Sequence, residues 1–127
     1  MAYDLGPQTL ISLTAAADLS ANQYYVVRAD ANGDVLLHDD GGDEFPLGVL
    51  QNAPASGETA NVLIAGVTKV VAGTSFNPQN LLAAIDTTGK VSNVIAGNYV
   101  IGQPITASGA DGDIVTAIVS FAAPYDG

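Results

Sequence analysis

Apolar residues in this chain fall in short runs, not along helical stripes. Val, Ile, Thr and Tyr cluster over four to eight positions, and Gly, Asn, Asp and Pro separate the clusters. Such runs read as strands, because β-branched and aromatic side chains suit a pleated, half-buried surface. The pattern predicts strands near 9–14, 23–29, 34–38, 47–51, 60–65, 67–72, 81–86, 90–95, 98–102 and 113–122. Hairpin turns are expected at Ala31-Asn32-Gly33-Asp34 and Thr87-Thr88-Gly89-Lys90, where glycine supplies a positive φ. Thr14-Ala15-Ala16-Ala17-Asp18-Leu19 is the one stretch with helical character, and it is short enough to read as a loop or a single turn. Pro78-Gln79-Asn80-Leu81 reads as a second short turn, proline suiting a first helical position. The expected fold class is all-β.

The chain also repeats itself. Residues 24–35, beginning Tyr24-Tyr25-Val26-Val27, align with residues 80–91 at an offset of 56, which places Asp30, Gly33 and Val35 on Asp86, Gly89 and Val91. Leu47-Gly48 then meets Ile101-Gly102, and Ser56-Gly57-Glu58 meets Asp111-Gly112-Asp113. Two copies of so long a period do not make a solenoid. They predict a compact β-barrel or sandwich built from two pseudo-repeated β-meander units, about 23–72 and 79–122, within a domain covering 23–127. Residues 1–22 stand outside those units and read as an N-terminal arm with one strand. That strand either pairs with the domain's own edge or adds to a neighbour's sheet.

Composition narrows the function. Hydrophobic residues make up 48% of 127, and mean hydropathy is +0.30. Small side chains dominate, with 20 Ala and 13 Val against 3 Phe and 5 Tyr, which suits a thin core. The apolar excess over what so small a domain hides points to a subunit or partner interface. Thirteen acids face three bases, for a net charge of -10. Arg28, Lys69 and Lys90 lie far apart in sequence, whereas phosphate neutralisation needs clustered cations. Nucleic acid and anionic membranes are therefore not expected partners. No apolar run is long enough to span a bilayer, and no signal-peptide pattern opens the chain. Without Cys there is no disulfide framework and no thiolate chemistry.

Candidate chemistry is thin. His38-Asp39-Asp40-Gly41-Gly42-Asp43-Glu44 groups one imidazole with four carboxylates. It could hold a cation, but like charges around Gly41-Gly42 fit a solvated acidic hairpin loop better. Asp30-Ala31-Asn32-Gly33-Asp34 looks superficially like a calcium loop, yet Val35 and Gly41 stand where that motif needs Gly and Glu. Gly109-Ala110-Asp111-Gly112-Asp113 reads as a turn. With one His and no Cys, no nucleophile elbow and no phosphate-binding loop, no enzyme, cofactor or metal centre is expected.

One resemblance gives this inventory a direction. Leu47-Gly48-Val49-Leu50-Gln51-Asn52-Ala53-Pro54-Ala55-Ser56-Gly57-Glu58-Thr59-Ala60-Asn61-Val62, continued by residues 65–73, resembles the small capsid decoration, or cement, proteins of tailed bacteriophages. So do Leu19-Ser20-Ala21-Asn22-Gln23-Tyr24 and Gly97-Asn98-Tyr99-Val100-Ile101-Gly102. The resemblance spans roughly residues 13–122 and consists of turns and small apolar strands. It implies a virion protein on the outer capsid surface, bound to a major capsid protein of HK97 type, assembled as a homotrimer and stabilising contacts between capsomers. Tyr3, Leu5, Leu10, Ile11 and Leu13 of the arm are the expected contacts to the capsid or a sister subunit, unless that strand closes the domain's own barrel. Phe121 and Tyr125 are expected at a trimer axis, Phe121 equally in the core. A glycan- or host-surface-binding β-module of a spike or fibre, or a tail structural protein, is the alternative.

Overall fold

The computed structural model describes residues 8–39, 45–85, 88–93 and 99–121, together with the backbone of Tyr125 and Asp126. Among them there is no helix. Ten strands follow in order: β1 (Thr9–Thr14), β2 (Val26–Ala29), β3 (Val35–Leu37), β4 (Gly48–Leu50), β5 (Thr59–Val71), β6 (Leu82–Ala84), β7 (Val91–Asn93), β8 (Tyr99–Pro104), β9 (Ile114–Ser120) and β10 (Tyr125–Asp126). All belong to one curled sheet of order β3-β2-β4-β5-β9-β8-β6-β7, with β1 added to β5 and β10 to β8.

That order reads the same from either end in terms of connection. β2 pairs with β3 and β4, and β4 with β5; likewise β6 pairs with β7 and β8, and β8 with β9. The two halves meet where β5 runs antiparallel to β9. The fold is thus a tandem of two like β-units joined through one long strand.

Two features differ from the sequence reading. The runs 60–65 and 67–72 are one strand, not two. The glycine between them is a bend within it: Gly66 sits at φ 131, a conformation costly for any residue with a Cβ. The strand expected at 9–14 also lies inside the repeat. The ladder of Leu10 on Leu63 through Thr14 on Thr59 is reproduced, rung for rung, by Val67 on Ile118 through Val71 on Ile114. β1 therefore corresponds to the second half of β5.

The hydrogen bonds beyond the ladder repeat too. Ala15 N donates to Glu58 O at 2.8 Å, and Ala72 N to Asp113 O at 2.8 Å. Gly57 N donates to Ala15 O (2.8 Å), and Gly112 N to Ala72 O (2.7 Å). Ala16 N reaches Val35 O (2.9 Å) as Gly73 N reaches Val91 O (2.7 Å), and parallel bridges Ala15–Val35 and Ala72–Val91 accompany them. Leu19 N to Pro54 O (2.9 Å) has its counterpart in Phe76 N to Ser108 O (3.1 Å). Each unit therefore curls until its first strand meets its third. The unit runs from about 9 to 64 and again from 66 to 121, longer than 23–72 and 79–122.

Each unit has its own core. Ala15, Leu19, Val27, Val35, Leu50, Ala60 and Val62 fill the first, with Ile11 and Leu13 half-buried against them. Ala72, Phe76, Val91, Val115, Ala117 and Val119 occupy the corresponding places in the second. The second core also takes in Val26, Val49 and Leu63, from the opposite face of first-unit strands. Where β2, β4 and β5 run side by side, the first unit's sheet is thus buried on both faces. Each fully buried Val, Leu or Phe among them is worth roughly 1.5–3 kcal/mol.

Candidate interaction surface

The acidic loops read as turns from the sequence are built by ordinary backbone chemistry. The Asp30 carboxylate accepts from the N–H groups of Asn32 (2.8 Å) and Asp34 (3.0 Å), making the β2–β3 turn. The Asp113 carboxylate accepts from Gly109 (2.9 Å) and Ala110 (3.2 Å) at the entry to β9. His38 departs from the picture of a solvated loop: it is buried, with its backbone N–H donating to Val26 O at 3.1 Å, while Asp39 beside it is exposed. Residues 40–44 lie outside the described residues. Among the described residues, no three His, Cys, Asp or Glu side chains converge as a metal site.

What the surface does offer is apolar. Phe45, Leu81, Ile114 and Ile118 are each more than half exposed, and Leu10 is half exposed. Three of these belong to the second unit. On β9 the alternation places Val115, Ala117 and Val119 in the core and Ile114, Thr116 and Ile118 outside. Beside them Leu81, Val100, Gly102, Gln103, Ile118 and Ser120 line an open pocket of ≈ 260 Å³. Its floor owes its form to Gly102: a Cβ there would lie 1.9 Å from Ile118 O, so β8 and β9 approach only because glycine stands at that rung. Gly48 plays the same part in the first unit, where a Cβ would lie 2.5 Å from Leu63 O. No charged side chain lines the pocket. The nearest cation on the outer face of that ladder is Lys69, paired with Thr116, its Nζ 5.9 Å from the centre of the Tyr24 ring.

A second apolar spot marks where the units meet. Phe45 and Tyr99, which align when Gly48 is set on Gly102, stack with ring centres 5.3 Å apart and planes tilted by 47°.

The residues expected to form contacts scatter across this map. Ile11 and Leu13 turn toward their own core, and only Leu10 on that strand is open among the apolar three. Phe121 is buried in the second core. Tyr125 pairs its backbone with Val100. Tyr3 and Leu5 lie outside the described residues. Leu81, Ile114 and Ile118 were not singled out in sequence. The available signal was that 114–119 is apolar at nearly every position, a pattern for strands covered on both faces, whereas here one face is open.

No known protein family matches the chain, and no curated protein does. Among solved structures, it is similar to the head fibre gp8.5 N base of bacteriophage phi29. That similarity covers 90% of this chain and 95% of the other, with a TM-score of 0.62 and 15% identity. The two chains share a fold.

Proposed function

We propose that this chain is a structural component of a bacteriophage virion, carried on the outside of the head. The observation that carries this reading is the match, across nearly the full length of both chains, to the phi29 head-fibre base. The sequence pattern supports it independently through its resemblance to capsid decoration proteins. A chain with net charge -10 suits an outer face, away from packaged DNA. The neighbour's name favours a second form of the same reading, in which the domain is the base of a projection instead of a cement. In either form the protein is non-enzymatic and holds to a shell protein through apolar side chains, Ile114, Ile118 and Leu81 foremost.

Its action would be linkage. A protein that binds only the assembled shell stabilises it by mass action. A homotrimer would join several such contacts into one clamp. Immunogold or electron-microscopy density on intact particles tests this directly. Density on the head supports the proposal, and density confined to the tail, or protein found only free, overturns it. Light scattering of the pure protein tests the trimer separately.

A further inference from the structure

The contact that joins the two units has a definite make-up. Val26, Val49 and Leu63 of the first unit are fully buried against the second core. Two backbone hydrogen bonds flank them: Val26 N donates to Gly89 O at 2.7 Å, and Val71 N to Tyr24 O at 3.2 Å. The first unit thus supplies a covering face, and the second a receiving one.

The repeat gives the members of that contact counterparts elsewhere on the molecule. Val27 pairs with Leu37 and Gly48 as Leu82 pairs with Asn93 and Gly102, so Leu81 stands in the place of Val26. Gln103 and Ile118 stand in those of Val49 and Leu63. These three are exposed and line the open pocket, so the second unit presents a covering face to solvent. The first unit presents the matching receiver. Thr14 and Gly33 are exposed where Val71 and Gly89 are buried, and the two glycines share one turn conformation, with φ 82 and 73. Leu13, Leu47 and Ile64 are half-buried where their counterparts Val70, Ile101 and Val119 are buried.

We infer that the chain associates head to tail: Leu81, Gln103 and Ile118 of one copy cover the first unit of a second copy, over Leu13, Leu47 and Ile64. The partner is a second copy because the contact already exists once within each chain, and these two faces are its unmatched halves. The flanking hydrogen bonds have their counterparts too. Leu81 N would donate to Gly33 O of the second copy, and Thr14 N of that copy to Gln79 O, since Tyr25 N to Asn22 O recurs as Asn80 N to Asn77 O and sets Gln79 on Tyr24. Such a contact is heterologous, so it runs on into a ring or a filament instead of stopping at a pair. A shell protein would compete for Leu81 and Ile118, whereas Ile114, whose counterpart Thr59 is exposed, lies outside the contact. The inference does not rest on the virion reading, and particle density tests that reading without it.

Two exposed positions, one on each face, allow a complementation test by sedimentation and native mass spectrometry. The unaltered chain should form assemblies larger than a pair. Ile118→Arg and Thr14→Arg should each weaken that association about tenfold or more, with far-UV circular dichroism unchanged; Leu81→Arg serves if Ile118→Arg does not fold. Arginine lowers the net charge of -10, so general repulsion cannot account for the loss. Mixed together, the two variants should form a pair with one copy of each and nothing larger, because each keeps the half that the other has lost. An unaltered chain that stays monomeric overturns the inference, as does a Thr14→Arg variant that associates like the unaltered chain, or a mixture that does not pair.

Discussion

The two units keep the same hydrogen bonds and differ in what they show the solvent. In the first, the outer face of the ladder carries Ser12 on Asn61 and Thr14 on Thr59, with Ser12 Oγ bonded to Asn61 Oδ1 at 3.1 Å. In the second, the same rungs hold Lys69 on Thr116 and an exposed Ile114 on a buried Val71. One strand further in, Val49 on Leu63 is fully buried beneath the second core, while its counterpart, Gln103 on Ile118, faces outward. Packing therefore constrains one face in both copies and the other face in only one. Where the second unit is left uncovered, Ile114 and Ile118 face the solvent.

The most direct test of this equivalence is at the two glycines. Gly102→Ala would drive a Cβ against a backbone carbonyl, which cannot rotate away as a side chain can. We expect a loss of about 3 kcal/mol or more, at the upper end of overpacking costs. Gly48→Ala meets both Leu63 O and Val62 Cγ1, at 2.5 and 2.6 Å, and should cost about 2 kcal/mol. Urea denaturation of both variants checks the order. If either is tolerated without loss, the close approach of the strands is not what the glycine serves.

Next come Leu19 and Phe76, which hold the same place in the two cores. Leu19→Ala should cost about 2–4 kcal/mol and Phe76→Ala about 3–5 kcal/mol. Since each side chain lies in its own unit's core, the two losses should add in the double variant. A strong departure from additivity in thermal or chemical unfolding would mean that the cores are not separate.

Third is connectivity. β5 is continuous, whereas its counterpart is made of β9 and β1, which meet opposite Ala65. A circular permutant that links residue 127 to residue 1 through a Gly-Ser linker and opens the chain at Gly57 should therefore fold, losing about 1–2 kcal/mol to altered loop closure. Opening at Gly112, the equivalent turn, should cost about the same. A permutant that folds only when opened at one of the two turns would break the equivalence.

The strands were legible because turn formers interrupt short β-branched runs, and the repeat because Gly33, Gly48 and Gly57 recur as Gly89, Gly102 and Gly112. The full extent of the repeat was not. Leu10-Ile11-Ser12-Leu13-Thr14 and Val67-Thr68-Lys69-Val70-Val71 share no residue in register, and a ladder is made of backbone, which leaves no mark on residue type. Gly66 misled in the same way: a glycine inside a strand reads as a turn until its two flanks are seen to continue. The pocket was hidden because it depends on which sheet face lies uncovered, a property of how the units pack and not of either unit's sequence.

The smallest effect is an ion pair that only one unit has. Lys90 Nζ lies 2.8 Å from Asp111 Oδ1, tying the start of β7 to the turn before β9. The hydrogen bond to Asp111 holds the Lys90 ammonium above its ordinary value of 10.5. A cation with a raised pKa contributes stability that is present in full below the unfolded value and fades as pH climbs through the folded one. Lys90→Met should therefore cost about 0.5 kcal/mol at neutral pH, since Asp111 is largely exposed and solvent screens the pair. The difference from the unaltered chain should vanish at high salt, and again in strongly alkaline solution. The aligned positions in the first unit are Asp34 and Ser56, which cannot pair. Replacing them together, Asp34→Lys with Ser56→Asp, should give the first unit a contribution of similar size. If the double replacement gains nothing while Lys90→Met loses, the two turns do not stand at the same separation, and the equivalence stops short of the loops.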